Sequence, residues 1–192
     1  MAYFPFFAEL KDRPGLIVGG GSVALRKTEK LLPYGPSLCI VAPELREEFY
    51  EIPGLRLEKR TFCPEDVENI AFVIAATDDR AVNRAVALLC REKKIPVNVA
   101  DSEEDSSFLF PALVKRGDLS VGISTGGSSP TAARWVKEQV EAALPENFDR
   151  LLEELQARRE EILASGLEAK ERSALLRRLF YQLLEEQGGE GK

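Results

Sequence analysis

Leu16-Ile17-Val18-Gly19-Gly20-Gly21-Ser22-Val23-Ala24 runs from a short apolar stretch straight into three glycines and then into a segment that opens a helix. Gly19, Gly21 and Ala24 occupy the small positions of the G-x-G-x-x-G/A pattern, where a side chain would obstruct the turn, a pyrophosphate, or helix–strand packing. Glycines here also leave backbone N–H groups facing an anion at the positive end of the following helix. The same turn serves S-adenosylmethionine enzymes, or simply reverses the chain with no ligand. Outward from it, strand and helix signals alternate. Val23 to Tyr34 reads as a helix carrying Leu25, Leu31 and Leu32, and Gly35-Pro36 ends it. Leu38 to Ala42 is a strand, Leu55 to Leu57 a weak one, Phe72 to Ala76 a strong one, Asp79 to Lys93 a helix, and Pro96 to Val99 a further strand. This alternation predicts an α/β chain with a Rossmann-like parallel sheet, wound right-handed, with ligands at the carboxyl ends of its strands. Those ends, Val18/Gly19, Ala42/Pro43, Ala76/Thr77 and Val99/Ala100/Asp101, should border one crevice.

Past residue 107 the pattern changes. Phe108 to Lys115 and Leu119 to Ile123 flank Arg116-Gly117-Asp118 as two strands around a glycine turn. Ser124-Thr125-Gly126-Gly127-Ser128-Ser129-Pro130 then leads into a helix starting near Pro130, with Ser129 as its N-cap. From Pro145 the composition shifts to Leu, Glu, Arg, Lys and Ala. Leucines at 151, 152, 155, 175, 176, 179, 183 and 184 predict the core faces of two amphipathic helices broken near Ser165-Gly166. The tail from Gln187 to Lys192 should be disordered.

Composition excludes several function classes. A net charge of −6 over 192 residues argues against nonspecific nucleic-acid binding, which requires a basic face to displace phosphate counterions. Histidine is absent, so no imidazole can shuttle protons or ligate a metal, and histidine-dependent chelatases and Ser-His-Asp hydrolases are both out. Proton transfer must fall to carboxylates, and no resident metal centre is expected. Cys39, Cys63 and Cys90 are odd in number and widely spaced, as buried small hydrophobes in a reducing compartment would be. The start lacks a basic n-region, and no apolar run approaches the roughly 18 residues that span a bilayer. A cytoplasmic protein without membrane contact is the expectation.

Two segments bear on ligand choice. The second strand ends in Ala42-Pro43-Glu44-Leu45-Arg46, where an acidic residue would meet a ribose 2′-OH and an arginine a 2′-phosphate. Glu44 favours NAD, with Pro43 and Glu44 lining the adenosine end and Ser22 and Val23 lying under the pyrophosphate; Arg46 leaves NADP open. Asp101, taken alone, reads more readily as a cap or turn residue after a strand than as a base.

Four ordered segments carry a resemblance. Val18-Gly19-Gly20-Gly21-Ser22-Val23-Ala24, then Ala75-Ala76-Thr77-Asp78-Asp79 with Asn83 beyond it, Val97-Asn98-Val99-Ala100-Asp101, and Ser124 to Pro130 resemble, in order and spacing, the precorrin-2 dehydrogenase/sirohydrochlorin ferrochelatase family. The chain looks like the stand-alone form of the first module of siroheme synthase, up to about Leu144. That resemblance implies an NAD-binding Rossmann domain (1–107), a small α+β dimerisation region (108–144) and a helical C-terminal region (145–192), assembled as a homodimer. It implies NAD-dependent dehydrogenation of precorrin-2 to sirohydrochlorin, then insertion of Fe²⁺, a substrate here, to give sirohaem. Asp101 matches the aspartate to which the family's activity is assigned, and Ala76 and Thr77 complete the cofactor set. Ser124, Thr125, Gly126 and Gly127 are either a plain turn or an anion site for the carboxylates of the tetrapyrrole, supplemented by Lys115, Arg116, Arg134 and Lys137. Competing readings are a dehydrogenase without chelatase activity and a non-enzymatic NAD-sensing module.

Overall fold

The structure, a computed structural model, describes residues 3–188. The chain forms two compact units, one ending at Phe110 and the other beginning at Pro111. The first unit carries β1 (Pro14–Val18), α1 (Ser22–Leu31), β2 (Ser37–Val41), α2 (Glu48–Glu51), β3 (Arg56–Glu58), β4 (Phe72–Ala75), α3 (Arg80–Lys93) and β5 (Val97–Val99). The five strands make a parallel sheet in the order β3-β2-β1-β4-β5. Strand order reverses between β1 and β4, the switch point at which doubly wound sheets open a crevice.

Period-two alternation along buried strands builds a core on each face of this sheet. Leu16, Val18, Val73, Ala75, Val97 and Val99 pack with Val86, Ala87 and Cys90 of α3. Ile17, Leu38, Ile40, Phe72 and Ile74 face the other way, against Ala24 and Leu31 of α1 and Phe49 of α2. Helix α1 stops at Leu31, and a 3₁₀ turn at Leu32–Tyr34 closes on Gly35 in the left-handed region. Of the three cysteines, all free, only Cys90 is fully buried; Cys39 and Cys63 are half-buried. Burial pushes the Cys90 thiol up to about 11, so it packs as a small hydrophobe.

The second unit holds β6 (Ala112–Arg116) and β7 (Leu119–Ile123), an antiparallel pair turning at Gly117, followed by α4 (Pro130–Ala143), α5 (Phe148–Ala164) and α6 (Ala169–Gly188). Leu151 of α5 and Leu179 and Leu183 of α6 are the centre of an apolar cluster that Leu152, Leu155 and Leu184 flank. Among the described residues no helix is long and apolar enough to cross a membrane.

Three expectations need correction. Phe108 to Pro111 is not strand: β6 begins at Ala112, and Phe108 and Phe110 pack instead against the core on the α1 side of the sheet. Leu175 is exposed rather than a core position. The helix α6 continues through Gly188, beyond the predicted start of a disordered tail, and the rest of that tail lies outside the described residues.

One charged group is half-buried in this architecture. Lys27 of α1 donates from Nζ to Asn98 Oδ1 of β5 at 2.7 Å and lies 4.3 Å from the Phe110 ring centroid. Burial, helped by the like charges of Arg26 and Lys30, lowers its pKa from 10.5 to about 8. An unfolded lysine keeps its proton to about pH 10.5, so between pH 8 and 10.5 the unfolded chain binds more protons and stability rises with pH. The expected gain is roughly 1 kcal/mol, discounted for the water that still reaches the ammonium. Melting curves of wild type and Lys27→Met across that window check it: the rise should be smaller in the variant.

Candidate functional site

Parallel register sets the carboxyl ends of the strands level: Val18 pairs with Val41 and with Ala75, and Ala75 with Val99. The segments that follow, 19–24, 42–46, 76–83 and 100–102, therefore leave the same edge of the sheet. The first is the glycine turn. Gly19 has φ +127° and donates its N–H to the Val41 carbonyl at 2.9 Å; a Cβ there would lie 2.3 Å from the Ala76 carbonyl oxygen. A Cβ on Gly20 would lie 2.0 Å from the Glu44 carbonyl, and the Gly20 carbonyl accepts from Arg46 N–H at 3.1 Å. These two glycines are demanded by the chain's own packing.

Gly21 differs. Its φ is −85°, open to any residue, and a Cβ would meet nothing within 4 Å. Nothing in the fold needs a glycine here, whereas a pyrophosphate approaching the backbone would. Gly21 is also the N-cap of α1, and no side chain caps that helix, whereas Asp79 caps α3 and Ser129 caps α4. The first-turn N–H groups, at Ser22 and Val23 among others, have no intrahelical partner and lie beside this open position, as an anion cradle requires. Ala24, wholly buried, lets α1 pack close to the sheet.

Beyond β2, Pro43 and Glu44 are exposed and their backbone folds over Gly20. The guanidinium of Arg46, the residue that kept NADP open, pairs with Glu48.

Beyond β4 and β5, Thr77 and Asp101 are joined through Asn83 of α3, which is buried. Asn83 Oδ1 accepts from Thr77 N–H at 3.0 Å and lies 2.8 Å from the Thr77 hydroxyl; its Nδ2 donates to Thr77 O at 3.0 Å and to Asp101 Oδ1 at 3.1 Å. The other Asp101 oxygen lies 3.3 Å from Arg80 Nε. The Asp101 side chain is 34% exposed and that of Arg80 88%. An anchored carboxylate with one lightly held oxygen at the rim of a crevice can accept a proton. Asn83 entered the sequence reading only as a motif position, and Arg80 did not enter it; the adjacency of β4 and β5 brings both to Asp101.

Ser124, Thr125, Gly126 and Gly127 belong to the second unit. Thr125 Oγ1 donates to Ser129 O and accepts from Ser129 N–H, both at 3.1 Å, and Ser124 Oγ accepts from Gly126 N–H at 3.1 Å. Both hydroxyls thus help close the loop, which needs Gly126 and Gly127 at φ +59° and +82°. Among the described residues no group of three His, Cys, Asp or Glu is placed to hold a metal ion.

Residues 6–112 match the NAD(P)-binding family model, and residues 116–143 match that of the sirohaem biosynthesis protein central segment. The siroheme synthase of Methylococcus capsulatus is 42% identical over 154 residues, covering 79% of this chain and 32% of that protein. The siroheme synthase of Photorhabdus laumondii is 43% identical over 151 residues, covering 77% and 32%. The chain thus spans about a third of the length of the curated relatives it matches. Among solved structures, the precorrin-2 dehydrogenase SirC aligns with a TM-score of 0.76 and 28% identity over 97% of this chain and all of that one. The glycine turn, the switch-point sheet and these matches lead to one statement: the chain belongs to the NAD(P)-binding family, and carries beside it the central segment of sirohaem-biosynthesis proteins.

Proposed function

We propose that this protein oxidises precorrin-2 to sirohydrochlorin with NAD, and that the same chain then inserts Fe²⁺ to give sirohaem. The likeness to SirC over its whole length and to about a third of the length of siroheme synthases supports the substrate. The observation that carries the reading is Asp101, a carboxylate held by Asn83 and Arg80 on the sheet edge where the glycine turn also opens.

The residues fit a dinucleotide: Gly21 gives the approach, Ser22 and Val23 the N–H donors, and Gly19 the turn against Ala76 and Thr77. When bound, NAD supplies the acceptor for the hydride that leaves precorrin-2. Oxidation releases one proton besides the hydride, and Asp101 takes it. Insertion of Fe²⁺ releases two pyrrole protons, for which the same carboxylate is the acceptor. On the second unit, the backbone N–H groups of the Ser124–Gly127 loop other than that of Gly126, which donates to Ser124 Oγ, are the candidate donors to the substrate's carboxylates. We place the protein in the cytoplasm as a homodimer joined through the 108–144 region, where Trp135 stands 61% exposed on α4.

Spectra test the proposal. Precorrin-2 with NAD should give the sirohydrochlorin absorption together with reduced nicotinamide, and added Fe²⁺ should convert it to sirohaem. No change on adding NAD would refute the dehydrogenase, and a first change without the second identifies a dehydrogenase without chelatase activity. Glu44 would repel a 2′-phosphate by roughly 1 kcal/mol or more at a few ångströms, so kcat/KM with NAD should exceed that with NADP about fivefold or more. Glu44→Ala should narrow the ratio, and equal use of both cofactors by wild type would contradict the assignment.

A further inference from the structure

We infer that Asn83 is the positioning residue for Asp101, its carboxamide locked onto Thr77 at the end of β4 and aiming the Asp101 carboxylate at the end of β5. The inference rests on the reading of Asp101 as the base. The orientation of the amide follows from its partners. Thr77 N–H can only donate, so the carboxamide oxygen faces it, and the NH₂ is left for two acceptors, Thr77 O and Asp101 Oδ1. Three contacts to one residue fix the plane of the amide, and the fourth transmits that plane to Asp101.

Burial separates the roles. Asn83 is 1% exposed and its hydrogen-bonding capacity is filled, so it has no free atom for a substrate. The Asp101 carboxylate is partly open. Oδ1 is committed to the buried amide, whereas among the described residues Oδ2 is paired with Arg80 alone, whose long and largely exposed side chain makes a weak, water-screened pair. Oδ2 is therefore the oxygen offered to a substrate proton, and its direction is set by the bond on Oδ1. Misaligning a reacting group by about 1 Å costs on the order of 10²-fold in rate.

The variant Asn83→Asp keeps the volume and an acceptor for Thr77 N–H but loses the donor to Asp101 and to Thr77 O. We expect kcat to fall about 30- to 100-fold, with KM for precorrin-2 and Kd for NAD changing less than about threefold. Introduced into Asp101→Asn, the same change should cost less than about threefold more, because two residues acting as one unit do not add. A merely structural role would lower kcat by the same factor in both backgrounds, and that outcome overturns the inference. So does wild-type kcat in Asn83→Asp. If that variant does not fold, Asn83→Ser, which cannot reach Asp101, is read by the same two criteria. Full activity in Asp101→Asn would instead remove Asp101 as the base.

Discussion

Asp101→Asn is expected to cut precorrin-2 oxidation by roughly 10² to 10⁴, the usual worth of a general base, while NAD affinity changes little. The substitution keeps size and polarity. It alters two contacts: the exposed ion pair with Arg80 is lost, and the Asn83 NH₂, which donates to Asp101 Oδ1 at 3.1 Å, would meet either an amide oxygen or, after rotation, another NH₂. Only the first is compatible, so the fold is retained and the amide is held in the position of the carboxylate, without its basicity. Iron insertion should fall as well, since the pyrrole protons need the same acceptor. Steady-state rates of both reactions, with NAD affinity measured by titration, separate the cases. Loss of both supports one shared carboxylate, loss of oxidation alone assigns metal insertion to another site, and loss of neither takes Asp101 out of the mechanism.

Gly21→Asp should weaken NAD binding at least about 100-fold with little change in melting temperature. Both halves follow from the turn. A Cβ at position 21 meets nothing within 4 Å and its φ of −85° suits any residue, so the folded chain accommodates aspartate; an N-cap is even a preferred place for it. The same side chain would cap α1 from the inside, occupying the N–H groups and placing a negative charge where a pyrophosphate must lie. Gly20→Ala is the counterpart. Its Cβ would sit 2.0 Å from the Glu44 carbonyl, so that variant should lose stability first and nucleotide binding only in consequence. Thermal melts with and without NAD distinguish the two behaviours, and unchanged NAD affinity in Gly21→Asp would refute the nucleotide assignment.

Much of the first unit was legible because its signals are local. The apolar runs at 16–18, 38–42 and 72–76 alternate with amphipathic helices, and small residues at 19, 21 and 24 mark a turn whose sequence signature lies within a few residues. Short elements were not legible: α2 is four residues long and the 3₁₀ turn at Pro64–Val67 likewise, too brief for any period to appear. Phe108 to Phe110 has strand composition but lies without a strand partner, Asn98 Nδ2 donating to the Phe108 carbonyl at 3.0 Å in its place. The candidate site divides in the same way. The glycine turn could be read from its own residues, whereas the hold on Asp101 depends on β4 and β5 being neighbours, which places residues of α3 beside a loop 18 positions further along the chain.

The contact of Gly19 with the Ala76 carbonyl has a consequence for how the cradle comes into being. A chain that has made only β1, α1 and β2 holds the three glycines but not the wall that Gly19 leans on, because that wall arrives with β4, a partner distant in sequence. Such non-local pairing is the slow part of assembling a parallel sheet. The nucleotide cradle is therefore complete only once β1 and β4 have paired, and ligand has full purchase only on chains whose central strands have met. A nucleotide present at a hundredfold its Kd would add about 2.7 kcal/mol to such chains and nothing to half-formed ones, making cofactor supply a selector for completed folding.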